Sequence, residues 1–218
     1  MAKVVYPEDR YQLHVMLLDV SPAPWRRLLV RPDMTIDELH RLIQLCMGWG
    51  DRGWHEFRIH GLAEFGRRRG YGGSDLSETA EKPLSSFCLT PGERIGYDYG
   101  GWRCQLRLEK VMLVERPRFW PICIGGKWGA PPEWCGSGRS YMTDPQRIRH
   151  PFEVIDLLAD LLDEVLEDAG QFRERAKQVI EWSRWMHFDR ALLNTSLRSA
   201  KLAWVEEMDD AFSFATGD

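Results

Sequence analysis

The chain has 218 residues, 44% hydrophobic and 28% charged, with 29 Lys and Arg against 33 Asp and Glu for a net charge of −4. That length can bury a core without disulfide or metal staples, and the near-balanced charge offers only a weak form of the basic footprint that nucleic-acid binding needs. No apolar run approaches the roughly 18 residues of a membrane helix, Met1 to Pro7 lack a secretory pattern, and the five cysteines are scattered. A reduced, cytoplasmic protein with no membrane contact is expected.

The organising stretch is 11–60. Tyr11, Leu13, Val15 and Leu17 share one parity, Ser21-Pro22-Ala23-Pro24 is a turn signal, and Trp25 to Val30 resumes an extended apolar pattern, so a hairpin-like pair of strands is expected. Thr35 with Glu38 three residues later forms a capping box, which predicts a helix from Ile36. Ile36, Leu39, Ile43, Cys46 and Met47 then fall on one face, and Gly48 ends the helix. After the turn Asp51-Arg52-Gly53, His55, Phe57 and Ile59 alternate with Glu56, Arg58 and His60 as a half-buried strand does.

Residues 61–83 read as a loop whose chemical distinction is Arg67, Arg68 and Arg69 among glycines. Beyond the Pro91-Gly92 turn, Ile95, Tyr97 and Tyr99 alternate into Gly100-Gly101. Trp102, Cys104, Leu106 and Leu108 continue on the far side, which predicts a hairpin of 94–99 with 102–114. Residues 117–145, rich in proline, glycine and tryptophan, show almost no periodicity, so aromatic packing rather than backbone ladders is expected to fix them. After Pro151 an acidic amphipathic pattern runs to Gly170, followed by helical patterns at about 171–186 and 189–213. The charge is correspondingly uneven, basic residues prevailing before 150 and acidic ones after it. The expected organisation is an α+β sheet domain over 1–150 and an acidic helical extension, 151–218, packed on it.

Several motifs together resemble the plasmid pRiA4b open-reading-frame-3-like family. They are Pro24-Trp25-Arg26-Arg27, the helix closing in Gly48-Trp49, His55-Glu56-Phe57-Arg58-Ile59, the hairpin Tyr97-Asp98-Tyr99-Gly100-Gly101-Trp102, Pro131-Pro132-Glu133 with Gly136, Phe188-Asp189, and Asn194 to Arg198. The resemblance implies an α+β fold, an antiparallel twisted sheet with one helix packed on it and further C-terminal helices. It also implies an association with mobile elements, but no settled activity. Two positions depart from the family pattern: Ala130 stands where a cysteine often precedes the proline pair, and the hairpin turn lacks its usual acidic residue.

A serine resolvase needs a nucleophilic serine beside converging arginines and a basic helix-turn-helix, and the acidic C-terminal third opposes such docking. His55 and His60 are five apart on a strand and point to opposite faces, which does not make a zinc-protease pair. Cys123 and Cys135 supply half of a tetrahedral zinc site that His150 or His55 would have to complete. The preferred reading is a non-enzymatic recognition module, with Arg67, Arg68, Arg69, Trp102, Trp128 and Trp134 meeting a protein, peptide or nucleic-acid partner and no cofactor. The rivals are a metal-dependent hydrolase or nuclease using His55, Asp98 and Glu133, and simple DNA binding.

Overall fold

The computed structural model describes residues 9–51, 53–61, 63–65, 81–113, 121–144 and 187–200, with helical positions at 153, 156, 158–160, 173 and 176. Seven strands form one antiparallel sheet: β1 (Asp9–Leu17), β2 (Trp25–Val30), β3 (His55–Ile59), β4 (Ala63–Phe65), β5 (Arg94–Tyr99), β6 (Trp102–Leu113) and β7 (Ile122–Lys127). Their order is β4-β3-β5-β6-β1-β2-β7. Helix α1 (Ile36–Met47) contributes to the same core, so the α+β class expected from the sequence is the observed one.

Parity explains the core. Tyr11, Leu13, Val15 and Leu17 are fully buried, and Leu28, Val30, Phe57, Ile95, Tyr97, Leu106 and Leu108 join them against Leu39, Leu42 and Ile43 of α1. Each such side chain contributes about 1.5–3 kcal/mol on leaving water, which is what holds α1 to the sheet. The capping box is formed as read: the Glu38 amide donates to the Thr35 hydroxyl at 3.2 Å, and the Thr35 amide to the Glu38 carboxylate at 2.7 Å. The helix closes at Gly48, whose φ of 72° is the left-handed conformation that glycine takes without a Cβ penalty.

Two expectations are corrected. Residues 122–127 are not held by aromatic packing alone; β7 pairs with β2 from Trp25↔Lys127 to Leu29↔Ile122, because a ladder needs no side-chain alternation where glycines face the neighbouring strand. Within the expected 61–83 loop, β4 pairs with β3. Short 3-10 turns occupy Leu84–Phe87 and Glu133–Cys135, followed by α2 (Gly138–Thr143).

The edge at β7 is covered. Helix α3 (190–200) buries Leu193 and Leu197 and presents Asn194, whose side chain accepts from the Cys123 amide at 2.8 Å and donates to the Cys123 carbonyl at 2.9 Å. One amide side chain thus satisfies both backbone groups that a further strand would have taken. Most of the helical patterns expected between 151 and 186, and beyond 200, lie outside the described residues.

Candidate functional site

Two regions at opposite ends of the sheet collect polar groups in a mostly apolar core, and α1 touches both. The first centres on His40 and Gln44, one turn apart on the buried face of α1 at 1% and 4% exposure. Beyond Gly48 the chain doubles back, so that Asp51, in the left-handed region with φ 51°, returns its carboxylate to His40 Nε2 at 2.8 Å. His40 Nδ1 lies 2.7 Å from the Tyr97 hydroxyl, which accepts from Gln44 Nε2 at 2.7 Å. The Asp51 amide donates to Gln44 Oε1 at 3.3 Å.

These contacts close a ring with one consistent proton assignment: Tyr97 donates to His40 Nδ1, and His40 Nε2–H donates to Asp51. Burial pushes the Tyr97 hydroxyl well above its ordinary range, which keeps its proton in place for that donation. His55 stacks on His40 with ring centroids 3.6 Å apart and planes 12° from parallel. Beside the ring, Glu133 receives the Tyr99 hydroxyl and, at 2.7 Å, the Gly50 amide. Trp49 stacks on Tyr99 and Trp102 and donates to the Pro131 carbonyl at 3.0 Å.

The ligating atoms of His40, Asp51 and His55 all lie within 4.8 Å of one another, which makes them a candidate divalent-metal set among the described residues. Three protein donors with an open position suit zinc. The near-parallel rings direct their in-plane lone pairs side by side rather than at one point, so an ion shared by both histidines requires one ring to turn.

The second region is a groove of about 620 Å³ between the end of α1, residues 129–132 and the 187–196 segment. Its walls include Leu45, Met47, Ala130, Pro131, Leu192 and Leu193, and Arg26 also lines it. Arg26 is 2% exposed. Its Nε donates to the Cys46 carbonyl at the end of α1, and its Nη1 reaches the carbonyls of Trp25, Lys127 and Trp128. The guanidinium lies over the Phe188 ring at 3.9 Å. Phe188 in turn occupies the space that a side chain at Gly126 would fill, a built Cβ there lying 2.4 Å from its ring. Burial lowers the Arg26 pKa, and the C-terminal dipole of α1, which carries no basic residue in its own last turn, offsets part of that cost.

Of the residues read as candidates, His55 and Glu133 face the same side of the sheet, each in contact with the tyrosine ladder. Asp98 does not join them: it pairs across the ladder with Glu56, opposite in parity to His55, and binds Arg58 at 2.6 Å. Trp102 is a core residue at 1% exposure, because its parity on β6 turns it toward Trp49, so it offers no surface to a partner. Trp128 is half-buried, with Lys127 Nζ 4.9 Å from its ring, and Trp134 is 68% exposed. Arg67, Arg68 and Arg69 lie outside the described residues.

Cys123 and Cys135 belong to no group of three potential metal ligands among the described residues. Cys123 is buried with its thiol on the Gly125 carbonyl. Burial raises Cys135 to about 11, so the free side chain is a thiol at neutral pH. His40 and Gln44 are not among the residues that the sequence motifs name, and Arg26 enters there only within the Pro24-Trp25-Arg26-Arg27 motif. The signal for the first two was their position on the apolar stripe of α1. The signal for Arg26 was the parity it shares with Leu28 and Val30.

Comparison with known proteins adds three findings. The model of the plasmid pRiA4b ORF-3-like protein family matches residues 9–195. The uncharacterized protein y4hQ of Sinorhizobium fredii is 27% identical over 152 residues, which cover 64% of this chain and 76% of that protein. The crystal structure of a protein of unknown function, MM3350 from Methanosarcina mazei Go1, is similar with a TM-score of 0.61 and 26% identity over 85% of this chain and 98% of its own.

Proposed function

This chain belongs to the plasmid pRiA4b ORF-3-like protein family, and on that premise we propose that it is a non-enzymatic recognition module whose ligand lies in the groove between α1, residues 129–132 and α3. The observation that carries this reading is the groove itself, mostly apolar and large enough for a small ligand. Residues 129–132 supply one wall of it, Ala130 standing beside the proline pair. A setting in mobile elements rests on the family's name.

The test uses a neutral solvatochromic dye, Nile red, with the full chain. Its fluorescence should rise on binding and fall at least several-fold in a Ser196→Trp variant, which fills the groove from an exposed helix position. Equal dye binding by both proteins, with circular dichroism unchanged, would remove the groove as the site.

A second reading, metal-dependent hydrolysis, is favoured by one observation, the His40, Asp51 and His55 set. His40 Nε2 and Asp51 Oδ1 are 2.8 Å apart, and a tetrahedral zinc ion would spread them to about 3.4 Å, a small movement. Native mass spectrometry after zinc loading decides it. One retained zinc that disappears in His55→Ala supports this reading, and a metal-free spectrum removes it.

A further inference from the structure

We infer that the groove selects a ligand with an apolar body and a single carboxylate, and that Arg26 is the residue that reads the carboxylate. The inference rests on the groove being the binding site. Arg26 has five N–H donors. Three of them, on Nε and Nη1, go to backbone carbonyls, while among the described residues no group accepts from Nη2. Among the described residues no carboxylate pairs with it either; the groups that act on its charge are Cys46, Cys123 and Cys104, all of them thiols that burial holds neutral.

A guanidinium that is 2% exposed, neutralised only by carbonyl dipoles and left with two donors on the nitrogen not held by the backbone, is an unfilled anion position. Asp189 also lines the groove, but its Oδ1 accepts from the Leu192 amide at the start of α3. It forms no ion pair with Arg26 and is not among the groups that act on its charge.

The walls decide what accompanies the anion. Leu45, Met47, Ala130, Pro131, Leu192 and Leu193 offer apolar surface, and proline has no amide to donate. A peptide laid along them would lose water from its own amides without regaining hydrogen bonds, at a substantial cost per group. A hydrocarbon chain ending in a carboxylate brings no other polar group to satisfy. Phosphate monoesters carry more charge than one half-engaged guanidinium can balance, so the monocarboxylate is the better match.

The experiment is displacement of Nile red from the full chain by octanoate and by 1-octanol, which share a chain and differ in the head group. Octanoate should displace the dye at a concentration lower by at least about tenfold, the ratio expected of a buried charge-assisted hydrogen bond. In Leu192→Glu, at an exposed groove position, the lost apolar wall should weaken both ligands, and the tethered carboxylate should weaken octanoate by about tenfold more than 1-octanol. Arg26→Gln should abolish the preference. Because that variant also loses four carbonyl contacts and can fail to fold, the wild-type comparison and Leu192→Glu stand without it. Equal displacement by the two ligands overturns the role of Arg26 while leaving the groove as a binding site. Stronger displacement by acetyl-trileucine acid than by octanoate overturns the monocarboxylate in favour of a peptide terminus. Failure of the dye to bind at all removes the reading of the groove itself.

Discussion

Glu109 is the bulged residue of β6: Gln12 pairs with Lys110 and Leu13 with Leu108, leaving Glu109 out of the ladder. A bulge re-aims its side chain, and this one spans the neighbouring β1 to take Arg27 of β2 at 2.6 and 2.9 Å, with Gln12 at 2.6 Å. Those donors hold its carboxyl down to about 2 from an ordinary 4.5. A depressed acid stabilises the fold above the unfolded value and loses that contribution as pH falls through the folded one. Glu109→Gln should therefore cost about 1 kcal/mol at pH 6, discounted for the partial exposure of Arg27. In urea unfolding the gap between variant and wild type should close between pH 4.5 and 2, and a gap constant with pH would refute the linkage. The ring at His40 makes a different prediction at the same scale. Tyr97→Phe removes a buried acceptor from Gln44 and a donor to His40, an expected loss of about 1–3 kcal/mol. The double variant with Gln44→Met should lose clearly less than the sum of the single changes, since both delete one shared bond. Additivity would mean that the ring does not act as a unit.

Among the elements, α3 has the most distinct task, because it closes the sheet edge with one side chain. Asn194→Ala should destabilise by about 1–3 kcal/mol through two lost backbone hydrogen bonds, and hydrogen exchange of the Cys123 amide should accelerate while that of β1 stays unchanged. Exchange unaltered at Cys123 would show that another group satisfies it. Most of the elements could be read in the chain. The capping box marks the start of α1 and Gly48 its end, and the alternation of Ile95, Tyr97 and Tyr99 with Trp102 and Cys104 places the β5–β6 hairpin to within a residue. β7 was not legible. Gly125 and Gly126 erase its side-chain period, and at Gly126 the ring of Phe188 occupies the space a side chain would take. The site was less legible than the fold for a related reason. The apolar residues of α1 alone do not reveal His40 and Gln44, and the strand parity that separates His55 from His60 also separates Asp98 from His55 and buries Trp102 and Arg26.

At the scale of the molecule, the polar ring and the groove lie at different ends of the sheet order, yet the last turn of α1 and the residues just after it serve both. Gln44 belongs to the ring, the Cys46 carbonyl holds Arg26, and Trp49 reaches across to the Pro131 carbonyl, on the wall of the groove. Trp49 also stacks on Tyr99, which is bonded to Glu133 of the same loop. The 129–133 segment is thus fastened to the tyrosine ladder at two points, and Gly101 admits it: a Cβ there would lie 2.4 Å from the Gly136 carbonyl oxygen, at a φ of 102° that already favours glycine. Trp49→Phe keeps an aromatic ring at the stack and deletes the bond to Pro131. The groove wall should then sample more positions, so that Nile red affinity falls by about three- to tenfold, as expected for one lost hydrogen bond that preorganises a site, while His40 and Tyr97 keep their contacts. Two-dimensional NMR would separate the outcomes. Shifts confined to 129–133 with weaker dye binding support a wall held from the far end of the sheet. Undiminished binding would mean that the two ends are independent and that Trp49 is only core.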